Sequence, residues 1–315
     1  VSNQSKLLNK IFDKIDKEED YLDEFLAAAE IIAMNAKQYQ KFYSKILLEN
    51  YKRVMSESNT DAKNLYGLLI SSFVTEVNLR SGELFEISRN FPLKRVHVLD
   101  TSSMFVDDPD RRGYKLNVQV HLFYSDKDAR SSYRHFKDKF GKPKKQNKNY
   151  AIFEKSRGKK TVRIYVTKPG GSSSKFDDLH SALKGLPVHM LVHRGHSFHV
   201  SKSLPRITNQ TKLVFLGSCR GYKRISDVLK MNKDAQIIST KGVGKMAIND
   251  PLLHALRQQI LSKEAIRWGS FWSTQQRDFA RKHQQVWQAF GDYVSPHEGF
   301  AVQFLKAYRE LQSKD

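Results

Sequence analysis

Two neighbouring segments decide the fold: VHMLVHRGHSFHV, residues 188–200, and TKLVFLGSCRGY, residues 211–222. Each begins as an apolar, β-branched run and stops at a glycine that precedes a reactive side chain, His196 in the first segment and Cys219 in the second. Such runs are typical of buried strands in an α/β sheet. Functional groups in these sheets lie just past the carboxyl ends of the strands, so we expect His196 and Cys219 side by side if the strands are neighbours.

The chain from residue 91 onward alternates strand-like and helix-like patterns. Amphipathic stretches predict helices at Ser125–Phe140, Lys175–Lys184 and, for most of its length, Pro251–Leu311. The first of these opens with Ser125-Asp126-Lys127-Asp128, which has the chemistry of an N-cap. The predicted strands are Arg95–Leu99, Lys115–Tyr124, Tyr150–Phe153, Thr161–Thr167, Val188–Val192, Leu213–Leu216 and Gln236–Thr240. This alternation indicates an α/β fold, a mostly parallel sheet flanked by helices on both faces.

The amino-terminal region has a helical pattern instead. Apolar residues recur at three- and four-residue spacings from Ser5 to about Arg89, and Asn59-Thr60-Asp61 has the chemistry of a helix start. We expect about four helices that form a bundle or a repeat-like cap and serve as structural support or for partner docking. The predicted domains are therefore a helical region, residues 1–90, and an α/β domain with a helical tail, residues 91–315.

Composition sets the outer bounds. Of 315 residues, 39% are hydrophobic and 11% aromatic, enough for a sizeable core. No run of about 18 apolar residues predicts a membrane helix, and the first residues show no signal-peptide pattern. A start at Val1 rather than Met suggests a trimmed or partial chain. The single cysteine excludes an internal disulfide and a zinc–cysteine cluster, so we expect a cytoplasmic protein.

The formal net charge of +21 requires an explanation. Such a surplus attracts phosphate backbones or acidic proteins. Much of it falls within Lys142–Lys160, which reads either as a solvated loop joining two strands or as a surface for an acidic partner or nucleic acid. No zinc finger, RNP motif or helix-turn-helix accompanies it.

Cys219 has the surroundings of a nucleophile. A thiol is mostly protonated at neutral pH, and a nearby imidazole or a helix amino terminus favours the thiolate. His196 offers the imidazole, and the helix expected from about Tyr222 offers the terminus. A buried free cysteine is the alternative interpretation, but the flanking Gly217, Ser218 and Arg220 are too small or too polar for a core position.

Together these two segments resemble the caspase-like cysteine peptidases, the group of caspases, gingipains, clostripain, separase and CHAT domains. The histidine motif of the family falls on Arg194–Ser197 and its cysteine motif on Leu216–Gly221, and the resemblance spans about Arg95–Thr240. It implies a caspase-like fold and hydrolysis of a protein or peptide substrate through an acyl-enzyme, without metal or cofactor. Two features depart from the family: Ser197 replaces a usual glycine, and the interval from His196 to Cys219 is short.

By this resemblance each residue receives a role. Cys219 is the nucleophile and His196 the general acid/base, while backbone amides at Gly195, Ser197 and Cys219, with the Gly217–Cys219 segment, hold the oxyanion. For the specificity pocket, Asp250 is the first acidic candidate and Asp107 or Asp108 the second, each with a turn or helix-cap role as the alternative. Arg194 and Arg220 equally fit a preference for acidic residues.

Two other functions stay open. The histidines at 189, 193, 196 and 199 suggest a zinc site, yet their spacing on a strand divides the rings between two faces, and no HExxH motif accompanies them. The second is a catalytically degenerate caspase-like fold that acts as a basic protein- or nucleic-acid-binding module. Reactivity of Cys219 separates it from the peptidase, because an exposed thiolate alkylates quickly and a core cysteine does not.

Overall fold

The computed structural model describes residues 22–57, 59–282 and 284–312. The chain forms two compact units: one runs to Val96 and resumes at Glu298, and the other comprises His97–His297. The helical pattern that the sequence predicts before residue 22 lies outside the described residues. Nowhere in the described ranges does a helix combine the length and the apolar character that a membrane crossing requires.

The elements of the described residues are numbered in chain order. The helices are α1 (Leu22–Asn35), α2 (Gln40–Ser56), α3 (Thr60–Val77), α4 (Glu83–Arg89), α5 (Lys127–Phe140), α6 (Lys175–Leu183), α7 (Val200–Ser203), α8 (Ile225–Met231), α9 (Met246–Ser262), α10 (Trp268–Lys282), α11 (Gln284–Phe290) and α12 (Phe300–Gln312). The strands are β1 (Val98–Asp100), β2 (Val106–Asp107), β3 (Lys115–Phe123), β4 (Lys145–Gln146), β5 (Tyr150–Arg157), β6 (Lys160–Thr167), β7 (Met190–Arg194), β8 (Leu213–Leu216), β9 (Gln236–Thr240), β10 (Ala265–Arg267) and β11 (Tyr293–Val294).

Helix α3 is the centre of the helical unit. It is buried along most of its length and packs against α1, α2, α4 and α12. Its start is the predicted one, because Oδ1 of Asn59 accepts a 3.0 Å hydrogen bond from the N–H of Ala62. The expected amino-terminal helical region is thus present as α1–α4. Helix α12 packs on α1 and α3 and belongs to this unit, whereas the sequence grouped it with the sheet.

The second unit is built on a sheet with the strand order β11-β9-β8-β7-β3-β6-β5-β4, and β2 pairs with the start of β3. The five central strands, from β9 to β6, are parallel. Helices cover both faces: α5 packs Phe136 on Phe123, and α6 packs Phe176 on the next residue, Tyr124. The predicted α/β fold is confirmed.

The order of the parallel strands locates the functional edge. Numbered along the chain, they lie in the spatial order 2-1-3-4-5, so the winding reverses between β3 and β7. Ligands of open α/β sheets bind beyond the carboxyl ends of the strands at such a reversal. The loops after Phe123 and after Arg194 leave the sheet at that point.

Two stretches differ from the sequence prediction. The strand expected at Arg95–Leu99 is β1, which starts later and pairs with β10 in a separate two-stranded ribbon. The basic segment Lys142–Lys160, interpreted as a solvated loop, contains β4 and β5, which form one margin of the sheet. Apolar residues of β5 are buried there while most of the lysines remain exposed. The strand predicted at Tyr150–Phe153 is confirmed as the first half of β5, whereas the charge pattern concealed β4 and the extension of β5 to Arg157.

Gly67→Ala tests the packing of α3 on Phe91. A Cβ at Gly67 would overlap the Phe91 ring. We expect the free energy of unfolding to fall by about 1–3 kcal/mol, as in overpacked cores, although alanine is the better helix former by about 1 kcal/mol. Urea unfolding followed by circular dichroism measures this change. Gly269→Ala is the matched control, because a Cβ there meets nothing within 4 Å; equal midpoints for the two variants would contradict the packing argument.

Candidate active site

His196 and Cys219 lie on adjacent strands at the same edge of the sheet. Strands β7 and β8 are parallel neighbours, and His193 pairs with Leu216 at the last position of their ladder. His196 and Cys219 each follow three residues after that pair. Because parallel strands lie roughly 4.8 Å apart, equal offsets bring the two loops out together. The segment between the strands holds only short turns and α7.

The His196 loop is anchored by Asp126, which the sequence marked only as a helix cap. Oδ1 of Asp126 caps α5 by accepting a 2.8 Å hydrogen bond from the N–H of Ala129. Its Oδ2 accepts a 3.3 Å hydrogen bond from the backbone N–H of His196. Gly195 makes this approach possible: its φ is +150°, and a Cβ would lie 2.7 Å from the same oxygen. Asp126 thus ties the loop after β3 to the candidate base.

The imidazole of His196 is accessible and faces a carboxylate. Its side chain is 42% exposed, and its Nε2 lies 3.7 Å from Oδ2 of Asp128. The ring of Phe198 stacks on it, with 5.4 Å between ring centres. An adjacent carboxylate orients an imidazole and stabilises its protonated form. This exposed pair contributes at most about 1 kcal/mol.

His193 supports the same loop from inside. Its Nε2 lies 3.1 Å from the carbonyl oxygen of His196, which can only accept, so Nε2 carries the proton. Its Nδ1 then accepts from Oγ of Ser203 at 2.9 Å, and Ser203 in turn accepts from the Tyr124 hydroxyl at 2.8 Å. Burial lowers the pKa of His193 to about 4. The ring is therefore neutral near pH 7 and acts as a bridge, not as an acid.

Arg194 and Asp250 neutralise each other on the opposite face of β7. Nη2 of Arg194 hydrogen bonds Oδ1 of Asp250, and the guanidinium packs over the Phe123 ring at 5.3 Å. Oδ2 of Asp250 lies 3.5 Å from Nε2 of His135. Asp250 is thus near the predicted edge, but its charge is already compensated. Arg194 is buried by the same packing, whereas Arg220 is exposed.

The Cys219 turn is held by the loop after β9. The N–H of Arg220 donates to the carbonyl oxygen of Gly242 at 2.7 Å. Nδ2 of Asn249 donates to the carbonyl oxygen of Gly217 at 2.9 Å. Gly244 packs so closely that a Cβ would overlap that same carbonyl group. Cys219 itself is half-buried, so its thiol stands on a rigid turn and remains within reach of a ligand.

Tyr293 completes this support from β11. Its hydroxyl donates to Oδ1 of Asn249 at 2.9 Å and accepts from the N–H of Lys245 at 2.9 Å. Burial raises the pKa of Tyr293. The sequence pattern does not mark Asn249, Gly244 or Tyr293 as site residues. The only local signal was the paired glycines at 242 and 244.

The amides expected to hold the oxyanion are free to do so. Within the described part of the chain, the N–H groups of Gly195, Ser197 and Cys219 donate to no other residue. The helix amino terminus that the sequence placed near Cys219 lies farther along the chain. Helix α8 begins at Ile225, and the tight turn Gly221–Arg224 separates it from the cysteine. The amides of Arg220 and Gly221 in this turn donate to the carbonyl oxygens of Gly242 and Ser218, so no helix terminus adjoins Cys219.

Asp107 and Asp108 do not belong to this edge, which corrects their assignment to the specificity pocket. Asp107 pairs with Lys115 at the start of β3, and β3 runs parallel to β7. The aspartates therefore lie at the amino ends of the strands, opposite His196 and Cys219. Asp108 is buried and binds Arg111 there, at 2.9 Å from its Nε. The sequence shows the acidic turn but not which end of the sheet it joins.

The histidines suggested as zinc ligands have other partners. Nδ1 of His189 accepts a 3.1 Å hydrogen bond from the N–H of Val118, and burial lowers the pKa of His189 to about 4. His199 stacks on Tyr124, with 4.5 Å between ring centres. Among the residues described, no group of three or more His, Cys, Asp or Glu side chains is arranged to hold a metal ion.

Comparison with protein-family models, with curated proteins and with solved structures found no match for this chain.

Gly244→Ala tests the support of the cysteine turn. The added methyl group would overlap the Gly217 carbonyl group, so we expect Cys219 to shift and its alkylation rate by iodoacetamide to change by about tenfold or more, since misplacement by about 1 Å can cost 10²-fold in reactivity. Mass spectrometry follows the alkylation. Gly170→Ala, with open space around its Cβ, serves as control; equal alkylation rates in both variants would refute the support role.

The neutral state of His193 predicts a pH dependence of stability. Its pKa of about 4 in the folded protein is below the ordinary value of 6.5, so the unfolded chain binds more protons between these values. Stability is present above about pH 6.5 and is lost as the pH falls toward 4. Thermal unfolding at pH 7 and pH 5 measures the loss. His193→Gln, which retains a donor and an acceptor, should reduce it; an unchanged slope would exclude His193 as its source.

Proposed function

We propose that this protein is a cysteine endopeptidase with Cys219 as nucleophile and His196 as general acid/base. One observation carries the proposal: the lone cysteine and an accessible histidine follow neighbouring parallel strands at equal offsets from one register pair. A thiol and an imidazole within reach of each other can perform acyl transfer. The resemblance of both motifs to caspase-like peptidases supports the same reaction.

The proposed reaction has two stages. His196 takes the proton of the Cys219 thiol, the sulfur attacks the carbonyl carbon of the scissile peptide bond to form a C–S bond, and His196 donates that proton to the departing amine as the C–N bond breaks. A water molecule then attacks the thioester while His196 takes its proton. The C–S bond breaks, the carboxylic acid product leaves, and the proton passes from His196 to the sulfur, which restores the thiol. No electron leaves the system, so the cycle requires no redox partner.

Negative charge on the attacked oxygen needs donors. The N–H groups of Gly195, Ser197 and Cys219 serve this role in the proposal, because none of them is engaged by another described residue. Loss of one such donor costs about 10²–10³ in rate in well-studied hydrolases. The amide of Ser197 is available even though the family usually has glycine at that position.

Asp126, Asp128 and His193 are positioning residues in this scheme. Asp126 and His193 hold the backbone of His196 through its N–H and its carbonyl oxygen. Oδ2 of Asp128 lies next to Nε2 of the His196 ring. In the proposal the other ring nitrogen, Nδ1, exchanges the proton with the thiol. This arrangement follows the general pattern in which a third group orients the base.

A second candidate function rests on charge. Lysines and arginines of Lys142–Lys160 are exposed along β4, β5 and the turn that follows, and a row of cations attracts acidic proteins or nucleic acid. Lys144 is partly compensated by Glu154, 3.0 Å away. In this alternative the protein is a basic binding module, and Cys219 is dispensable.

A cytoplasmic location remains a prediction from the single cysteine.

Turnover by Cys219→Ala and His196→Ala decides between the two functions. We expect wild-type protein to hydrolyse members of a fluorogenic peptide library, both variants to lose about 10³-fold or more in kcat/KM as in other dyads and triads, and a chelator to have no effect. Asp107→Asn, at the opposite edge of the sheet, is the control and should retain full turnover. No hydrolysis, together with a Cys219 that resists alkylation in the folded protein, would favour the binding module.

A further inference from the structure

The loops around the candidate dyad expose large apolar side chains. Phe198 is 65% exposed and Val243 57% exposed, and Met246 at the start of α9 is exposed as well. In the described part of the chain only three other large apolar side chains are this open, Met55, Val98 and Met231. Burying a side chain of this size is favourable because it removes apolar surface from water. Exposed apolar groups that cluster at one place mark binding surfaces.

Phe198 belongs to the His196 side of the site. Its ring stacks on the His196 imidazole at 5.4 Å and lies 4.1 Å from the ring of His199, centre to centre. Asp126 fixes the backbone of His196 on one side, and the tight turn Ser197–His199 follows directly. The outer face of Phe198 is therefore presented to solvent next to the candidate base by a rigid loop.

Val243 belongs to the Cys219 side. It lies between Gly242, whose carbonyl oxygen binds the N–H of Arg220, and Gly244, which packs on the Gly217 carbonyl group. Both neighbours of Val243 therefore contact the cysteine turn, whereas the side chain of Val243 itself remains exposed. The two apolar groups flank the dyad from its two sides.

The aspartates considered for the specificity pocket do not form one at this edge. Asp250 is compensated by Arg194 and faces His135, and the Arg194 side chain is only 2% exposed. Asp107 and Asp108 lie at the other edge of the sheet. Arg220 is exposed beside Cys219, which makes an acidic preference the main competitor.

We infer that Phe198 and Val243 form the walls of a substrate subsite that accepts a large apolar side chain next to the scissile bond. This inference rests on the proposed peptidase function for its biological meaning, but the subsite itself is a binding property. It names the substrate class: extended peptides with an aliphatic or aromatic residue, in preference to a basic or acidic one, beside the bond that Cys219 attacks.

The test measures binding without cleavage. Cys219→Ala protein is titrated into fluorescein-labelled hexapeptides that are identical except for Leu, Asp or Lys at one central position, and fluorescence anisotropy reports Kd. We expect the Leu peptide to bind most tightly. Adding Phe198→Ala or Val243→Ser should weaken its binding by roughly tenfold, as expected when an apolar contact is lost, and should leave the Asp and Lys peptides unaffected.

Met231→Ala is the matched control. Met231 is 47% exposed, and it ends α8, which returns the chain from the carboxyl end of β8 to the start of β9. It lies away from the candidate site, so its replacement should leave all three Kd values unchanged. Circular dichroism melts confirm that each variant is folded.

Several results would overturn the inference. These are tightest binding of the Asp or Lys peptide, no detectable binding of any peptide, or equal weakening by Phe198→Ala and Met231→Ala. Turnover of a fluorogenic library by wild type separates the two proposals. Cleavage with a charged preference keeps the peptidase and removes the apolar subsite, whereas apolar binding without cleavage keeps the subsite and removes the peptidase.

Discussion

The in-register parallel pairing of β7 with β8 is the constraint on which the site depends. Side chains alternate along β7, so His193 faces Ser203 on one side of the sheet while Arg194 faces Asp250 on the other. If the register of β7 shifted by one residue, its side chains would exchange faces. The buried Arg194 guanidinium would then lie against Ser203 and Tyr124 instead of Asp250. The hydrophobic ladder therefore fixes more than stability. It determines where the chain leaves the sheet and which side chains the two loops carry outward.

The loop after β9 adds a second constraint on the position of Cys219, because it packs on the cysteine turn although it follows a different strand. The loop contributes the Gly242 carbonyl oxygen and the close approach of Gly244, which has no side chain, and helix α9 adds the Asn249 amide. Tyr293 joins this group from outside the parallel strands. Rigid support of this kind suits a nucleophile, which loses efficiency if its position varies.

Sequence reasoning succeeded where local patterns determine local structure. The parallel strands around His196 and Cys219, and the caps at Asn59 and Asp126, follow from periodicity and from side-chain hydrogen-bonding chemistry. It failed where the outcome depends on strand direction and on distant partners. Asp107 carries the charge expected in a specificity pocket, but it pairs with the amino end of β3, opposite the candidate site.

Asp250 shows a further limit. Its carboxylate lies near the expected edge, yet its availability depends on Arg194, which is 56 positions away in sequence. No periodicity reports such a pairing. Asn249 and Tyr293 carry no local signal at all, since an asparagine in a helix and a tyrosine on a short strand are ordinary surface or core residues until the fold brings them to one turn.

The margins of the sheet have a consequence for behaviour at high concentration. At one margin, β4 pairs with only Ala151 and Ile152 of β5, so the rest of that strand forms the edge of the sheet, where Lys155 and Arg157 are exposed. A long edge with unpaired backbone groups would recruit strands of other molecules and seed aggregation, whereas short edge strands and lysine charge oppose this. The charges of Lys155 and Arg157 thereby protect the open edge of β5 against intermolecular β-pairing.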